Sequence, residues 1–230
     1  MSLMELNFFT TERIWTVEDI PVLTARITLP EPAEATSRAA RRIRRYYHLQ
    51  QRSYLRYCQG FLLPRAETEY RAALAVSAPL PQFQAELTGT VTYREGSLLS
   101  LYTQARETTL PGQRQLTRWG DTWDLATGYP IALPDFFPPR SNWKKALLHH
   151  AEAEIQRQEE LGIARYHHPI RRNLRRHFNS RNYYLTPEGL VFFYPMYAIA
   201  PAEERIPTFC VPPGTGGLLL PGTETDDSSL

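Results

Sequence analysis

The sequence predicts an α+β fold: antiparallel hairpin sheets, a long amphipathic N-terminal helix, and a second helix packed on the sheet, arranged either as one domain or as two intimately packed subdomains. Three observations carry this. Strand-like runs come mostly as adjacent pairs around short turns, helices stand between groups of strands, and clear helical periodicity is confined to two long stretches.

Taken in order, residues 1–19 read as an N-terminal extension, with a second candidate start at Met4. Val22–Leu29 is rich in Val, Ile and Thr and reads as a strand that Pro30 and Pro32 stop. From Ala33 to about Gln59 the period becomes helical. Ala39, Ala40, Tyr46, Tyr47, Tyr54, Tyr57 and Cys58 gather around Ile43 on the helical wheel, while Arg38, Arg41, Arg45, Arg52 and Arg56 take the far side. Gly60 is the expected stop, and Pro64–Ala75 a separate, shorter helix. Phe83–Tyr93 and Ser97–Thr108 flank Arg94-Glu95-Gly96 as a hairpin. Past a polar loop at Pro111-Gly112, Gln115–Leu125 and Tyr129–Leu133 flank Ala126-Thr127-Gly128 as another. Ser141 is the expected N-cap of a helix running to Leu161, with Gly162 after it and an inner stripe of Trp143, Leu147, Ala151 and Ile155. A short arginine-rich helix, Ile170–Phe178, a hairpin of Tyr183–Thr186 with Leu190–Tyr194, and a strand Pro207–Val211 follow. This divides the chain into an N-terminal half at 20–110, a C-terminal half at 111–212 and a flexible tail at 213–230.

Composition narrows the classes. Hydrophobic residues make up 42% and aromatics 12%, enough for a sizeable core, and no run approaches the ~20 apolar residues of a membrane helix. No export signal is visible at the N-terminus, which places the chain as given in the cytoplasm, or outside it if a leader has been trimmed. Two cysteines, Cys58 and Cys210, make no disulfide framework and read as buried thiols. Net charge is +2, yet the basic residues are 24 arginines and two lysines.

The chemistry-bearing residues form no familiar catalytic set. Six histidines lack a zinc-type spacing; His150 and Glu154 share a helix face, but no third ligand is in view. Gly214-Thr215-Gly216-Gly217 has no strand before it and no helix after it, so it is no phosphate cradle. Asp124 and Asp135 adjoin turns and suit capping roles. Neither a cofactor nor a metal is expected, and the chain is read as no enzyme. Two alternatives stand beside binding. One is a hydrolase using Asp121, Asp124 or Glu188 in a cleft between the halves, which requires two converging carboxyls. The other is nucleic-acid binding through the seven arginines of Arg38–Arg56 and the six of Arg165–Arg181. The aromatics of the first stretch lie opposite its arginines, which makes nucleic acid the weaker partner.

Two motifs in the second half carry a family likeness. Asp124-Leu125-Ala126-Thr127-Gly128 leading to Leu133-Pro134-Asp135-Phe136-Phe137 is one. Tyr183-Tyr184-Leu185-Thr186-Pro187-Glu188-Gly189-Leu190-Val191, followed by Tyr197-Ala198-Ile199-Ala200-Pro201 and Phe209-Cys210-Val211-Pro212, is the other. Together they resemble the ectodomain of RsiV-type anti-sigma factors and the accessory domain of PdaC-type polysaccharide deacetylases. The resemblance implies a two-part α+β module without catalysis of its own, which in RsiV recognises lysozyme. Here Ala202-Glu203-Glu204-Arg205-Ile206 replaces the small, glycine-containing run usual after the Ala-Pro pair. The expected partner is therefore a protein or a glycan. The binding residues expected are Tyr197, Ile199 and Pro201 in the loop, with Trp119 and Trp123 before the first motif.

Overall fold

The computed structural model describes residues 4–110 and 113–220. Its elements are β1 (Leu6–Val17), β2 (Ile20–Pro32), α1 (Arg38–Tyr57), α2 (Leu63–Ala75), β3 (Phe83–Glu95), β4 (Leu98–Thr108), β5 (Arg114–Asp124), β6 (Tyr129–Pro130), α3 (Trp143–Glu160), α4 (Ile170–His177), β7 (Tyr183–Thr186), β8 (Gly189–Phe193) and β9 (Thr208–Val211). This is the α+β class that the sequence predicts. One sheet runs β1-β2-β3-β4-β5-β6 and another β7-β8-β9. β2 and β3 are parallel, from Leu23↔Phe83 to Thr28↔Thr88. A parallel pair needs a long crossover, and α1 and α2 supply it.

Two compact units emerge, and they interleave along the chain instead of meeting at one cut near residue 110. The first comprises the chain up to Thr90, Thr103–Thr117 and Leu125–Gly128; the second comprises Val91–Tyr102, Arg118–Asp124 and the chain from Tyr129 on.

In the first unit, α1 buries Ala39, Ala40, Ile43, Tyr47 and Tyr54 and exposes its arginines, as the wheel predicts. Tyr46 and Tyr57, placed on the inner face by sequence, are 38% and 37% exposed. Ser37 caps the helix, its Oγ accepting from the Ala40 amide at 3.0 Å. The expected stop at Gly60 is not used. Cys58–Leu62 forms a π-helical turn whose exit amide, Leu63 N–H, donates to the Cys58 carbonyl, and the chain continues as helix into α2. Pro64 has no N–H for the Gly60 carbonyl, and its ring presses on that carbonyl in a regular helix. A widened turn relieves both problems. Gly60 does not take the left-handed conformation a stop requires.

The N-terminal extension is also corrected: Leu6–Val17 pairs with β2 along its length, from Leu6↔Pro32 to Val17↔Ile20. No residue of β1 is fully buried, so the strand lacks the apolar alternation by which sequence finds one. β2 passes through Pro30 and Pro32 because both lie beyond its last β3 partner, where a missing N–H breaks no ladder on that side.

The core of the second unit gathers Leu147, Ala151 and Ile155 of α3, Leu174 of α4, and Leu185, Leu190, Phe192, Phe209 and Val211 from the three-stranded sheet. α3 starts at Asn142 rather than Ser141, and Asn142 makes no side-chain capping bond. It ends as predicted. Gly162 adopts φ +66°, its amide bonds Glu159 O at 3.0 Å, and the Ile163 amide bonds Gln158 O at 2.9 Å. That is the paired hydrogen-bond pattern of a glycine-terminated helix. The expected flexible tail is corrected over 213–220. Thr215–Gly217 forms a short 3-10 turn, and Leu218 and Leu220 are buried in this core. Their apolar side chains outweigh the Pro-Gly composition around them. The remainder of the tail lies outside the described residues.

Candidate functional site

The β8–β9 connection of the second unit joins most of the predicted binding residues. Its base is closed by the Tyr194 amide on Pro207 O at 2.9 Å. Tyr194 is fully buried, and its hydroxyl donates to Leu174 O at 3.2 Å. Inside the loop the Ala198 amide bonds Pro195 O at 3.1 Å, making a tight turn. From outside, the His167 amide bonds Ile199 O at 2.8 Å and the Arg165 amide bonds Glu204 Oε1 at 2.9 Å. Ile199 and Ala200 are buried at 2% and 0%, pinning the loop from beneath.

Tyr197 sits at the tip, 51% exposed, with φ +68°. A left-handed conformation costs a non-glycine residue about 1 kcal/mol. It persists where the surroundings fix it, and such positions cluster at recognition sites. The loop thus presents one large aromatic side chain on a backbone held by main-chain hydrogen bonds. Of the other predicted residues, Pro201 is half-buried and follows the buried Ile199-Ala200 pair. Trp119 on β5 is 41% exposed, whereas Trp123 is 4% exposed. Solvent therefore reaches Tyr197 and Trp119, while Ile199 and Trp123 serve packing.

Sequence reasoning missed the groups that fix β7, the strand paired with β8. Ser100 Oγ, fully buried, accepts from the Leu185 amide at 2.8 Å and shares a hydrogen bond with Thr122 Oγ1 at 2.8 Å. Gly120 lies so close to β7 that a Cβ there would stand 1.8 Å from the Tyr183 carbonyl oxygen. The Arg118 guanidinium lies 4.3 Å from the Tyr102 ring centre and 5.8 Å from those of Tyr184 and Phe193. A glycine within a strand is the one sequence signal for such a close approach.

The other chemical candidates resolve into structural roles. Asp121 and Asp124 stand three residues apart on one strand, so they point to opposite faces and do not converge as a catalytic pair. Asp135 Oδ2 accepts from the Ala132 amide at 3.0 Å, the capping role its sequence suggests. Glu188 occupies the exposed β7–β8 turn. His150 Nε2 contacts Cys210 O at 2.7 Å, and Glu154 is engaged by Arg157 at 2.7 Å and Gln158 at 2.6 Å, with Arg157 first in holding its carboxyl down to about 2. Among the described residues no three His, Cys, Asp or Glu side chains gather as metal ligands. Cys58 is buried, and burial pushes its thiol up to about 12; Cys210, expected to be buried, is exposed, yet its thiol is also raised. Neither thiol is activated, since reactivity requires the thiolate. In the first unit, the Tyr57 hydroxyl donates to Glu107 Oε2 at 2.9 Å. Burial raises Glu107, and the Tyr57 bond and the Arg65 charge draw it partly back.

These features define an α+β protein with a rigid aromatic-tipped loop in its second unit. Residues 134–213, which span α3 through β9, match a family described as "Protein of unknown function (DUF3298)". The crystal structure of a DUF3298 family member from Bacteroides fragilis is similar at a TM-score of 0.64 and 16% identity, covering 91% of this chain and 90% of that one. A second, from Pseudomonas aeruginosa, is similar at a TM-score of 0.57 and 14% identity, covering 96% of each chain. At these identities the likeness concerns the fold. No curated protein matches the chain. No described helix is long and apolar enough to cross a membrane.

Proposed function

We propose that the chain is a non-catalytic binding module of the RsiV/PdaC accessory type, recognising a protein of the lysozyme kind or a glycan through the β8–β9 loop. One observation carries the reading: Tyr197 is half-exposed at a strained backbone conformation on a loop fixed from both sides. Aromatic anchors on rigid supports lose little conformational entropy on binding and dominate interface energetics. The divergence of Asp121 and Asp124 favours binding over paired-carboxylate hydrolysis.

Calorimetric titration with a c-type lysozyme and with soluble chitin oligosaccharides tests it, beside a hydrolysis assay on the same glycans. Saturable heat from one ligand without turnover is expected. Turnover of the glycan, or heat from neither ligand, refutes the proposal.

A further inference from the structure

We propose that the groove between α3 and α4 is a docking site for an acidic peptide segment, an extended stretch bearing carboxylates around one apolar side chain. The groove encloses about 720 Å³ within the second unit, and Trp143, Leu148 and Leu174 contribute its apolar lining. Around them stand Lys144, Lys145, His149, Arg171 and Arg175, and the one acid in the lining is Glu152. Glu152 is already hydrogen-bonded and ion-paired to Arg171. Among the described residues Lys145, His149 and Arg175 have no ion-pair partner, and Lys144 has only the Phe178 ring, 5.1 Å from its Nζ.

These charges are not there for α3. Its first turn holds no acid and its N-cap makes no side-chain bond, while two lysines occupy the end where the helix dipole is already positive. The Ser141 hydroxyl beside that end is buried and finds no hydrogen-bond partner among the described residues. Such a helix start is unfavourable alone and favourable with negative charge beside it. The local excess stands out in a chain of net charge +2, whose two lysines are both here.

Shape and packing select polypeptide over other anions. The α3 positions lining the groove run from Trp143 to Glu152, about 14 Å at the helical rise, which is far longer than a single phosphate and matches about four extended residues. Trp143 is flanked by Phe137 at 5.8 Å and Phe178 at 6.2 Å, so its ring is not a free platform for nucleotide bases. A concave groove does not meet a flat lipid surface. An acidic side-chain row over the basic rim, with a leucine-sized group against Leu148, satisfies both linings.

The test is fluorescence anisotropy of a labelled Glu-Glu-Leu-Glu-Glu peptide against the full chain in dilute buffer. Saturable binding is expected, at least tenfold weaker for K144Q/K145Q and for R175Q, and absent for the Gln-Gln-Leu-Gln-Gln peptide. Substitution R172Q/R176Q, at exposed α4 positions outside the groove lining, leaves affinity within twofold. Carbodiimide coupling of the peptide maps to Lys144 and Lys145, the only lysine side chains available. Circular dichroism confirms that each variant folds, and R175Q decides the matter if the lysine variant does not. No saturable binding, affinity unchanged in K144Q/K145Q and R175Q, or equal loss in R172Q/R176Q overturns the proposal. So does displacement of the peptide by inorganic phosphate, an oligothymidine or phosphatidylserine vesicles at lower concentration than unlabelled peptide. Tyr197→Gly leaves peptide binding intact, which separates this site from the loop.

Discussion

Replacing Ser100 with alanine tests how the second unit holds β7 in place. The hydroxyl is fully buried and joins two groups, the Leu185 amide and the Thr122 hydroxyl, each at 2.8 Å. Alanine leaves the amide buried and unpaired, at a cost of about 1–3 kcal/mol. The Thr122 bond adds roughly 1 kcal/mol. The side chain shrinks by one oxygen, so little cavity forms, and the sum is about 2–4 kcal/mol. Urea unfolding followed by circular dichroism reads this as a lower midpoint at unchanged slope. Thr122→Val should cost less, because it leaves Ser100 bonded to the amide. The double variant should fall short of the sum, since the two singles break one shared bond. A loss below about 0.5 kcal/mol in Ser100→Ala, or strict additivity, refutes the network as described.

Gly120→Ala places a methyl 1.8 Å from the Tyr183 carbonyl oxygen, a backbone atom that cannot yield cheaply. A loss of about 3 kcal/mol or more by urea unfolding is expected, and a change under 1 kcal/mol contradicts the close approach. Glu107 is raised in the folded state, so the native protein holds its proton more tightly than the unfolded chain does. Its favourable contribution is present below the unfolded value and is lost as pH rises through the folded one. Glu107→Gln should therefore flatten the urea midpoint between pH 4 and 8 and gain most at the alkaline end; parallel curves for the two proteins refute this.

Much of the fold was legible because its amphipathic elements obey simple periods. Ile43, Tyr47 and Tyr54, and later Leu147, Ala151 and Ile155, repeat at helical spacing and are buried. The turns at Gly96, Gly128 and Gly162 are marked by glycines at positive φ. What stayed hidden depends on contacts distant in sequence. β1 is an edge strand without a buried face, so pairing rather than hydrophobicity creates it. The helix passes Gly60 because Pro64, four residues on, is accommodated by a π-turn. Leu218 and Leu220 sit in a composition that reads as linker, yet α3 and the 3-10 turn give them a place to pack.

The candidate loop was visible through Tyr197-Ala198-Ile199-Ala200-Pro201, where an aromatic and a proline bracket a small apolar run. Which side chains face solvent was not. Trp119 and Trp123 share strand parity, yet one is 41% and the other 4% exposed. The basic groove left one trace, the adjacent lysines at a predicted helix start, but its second wall comes from α4, some thirty residues onward.

Calorimetric comparison of the wild-type chain with Tyr197→Gly tests most directly whether the loop tip is the recognition element. Glycine accepts φ +68° without strain, and that gain of about 1 kcal/mol offsets its entropy in the unfolded chain, so the urea midpoint should hardly move. Affinity for whichever ligand the wild type binds, lysozyme or chitin oligosaccharide, should fall by about 2 kcal/mol or more, as for a buried aromatic anchor. Equal affinities in the two proteins at equal stability contradict the account.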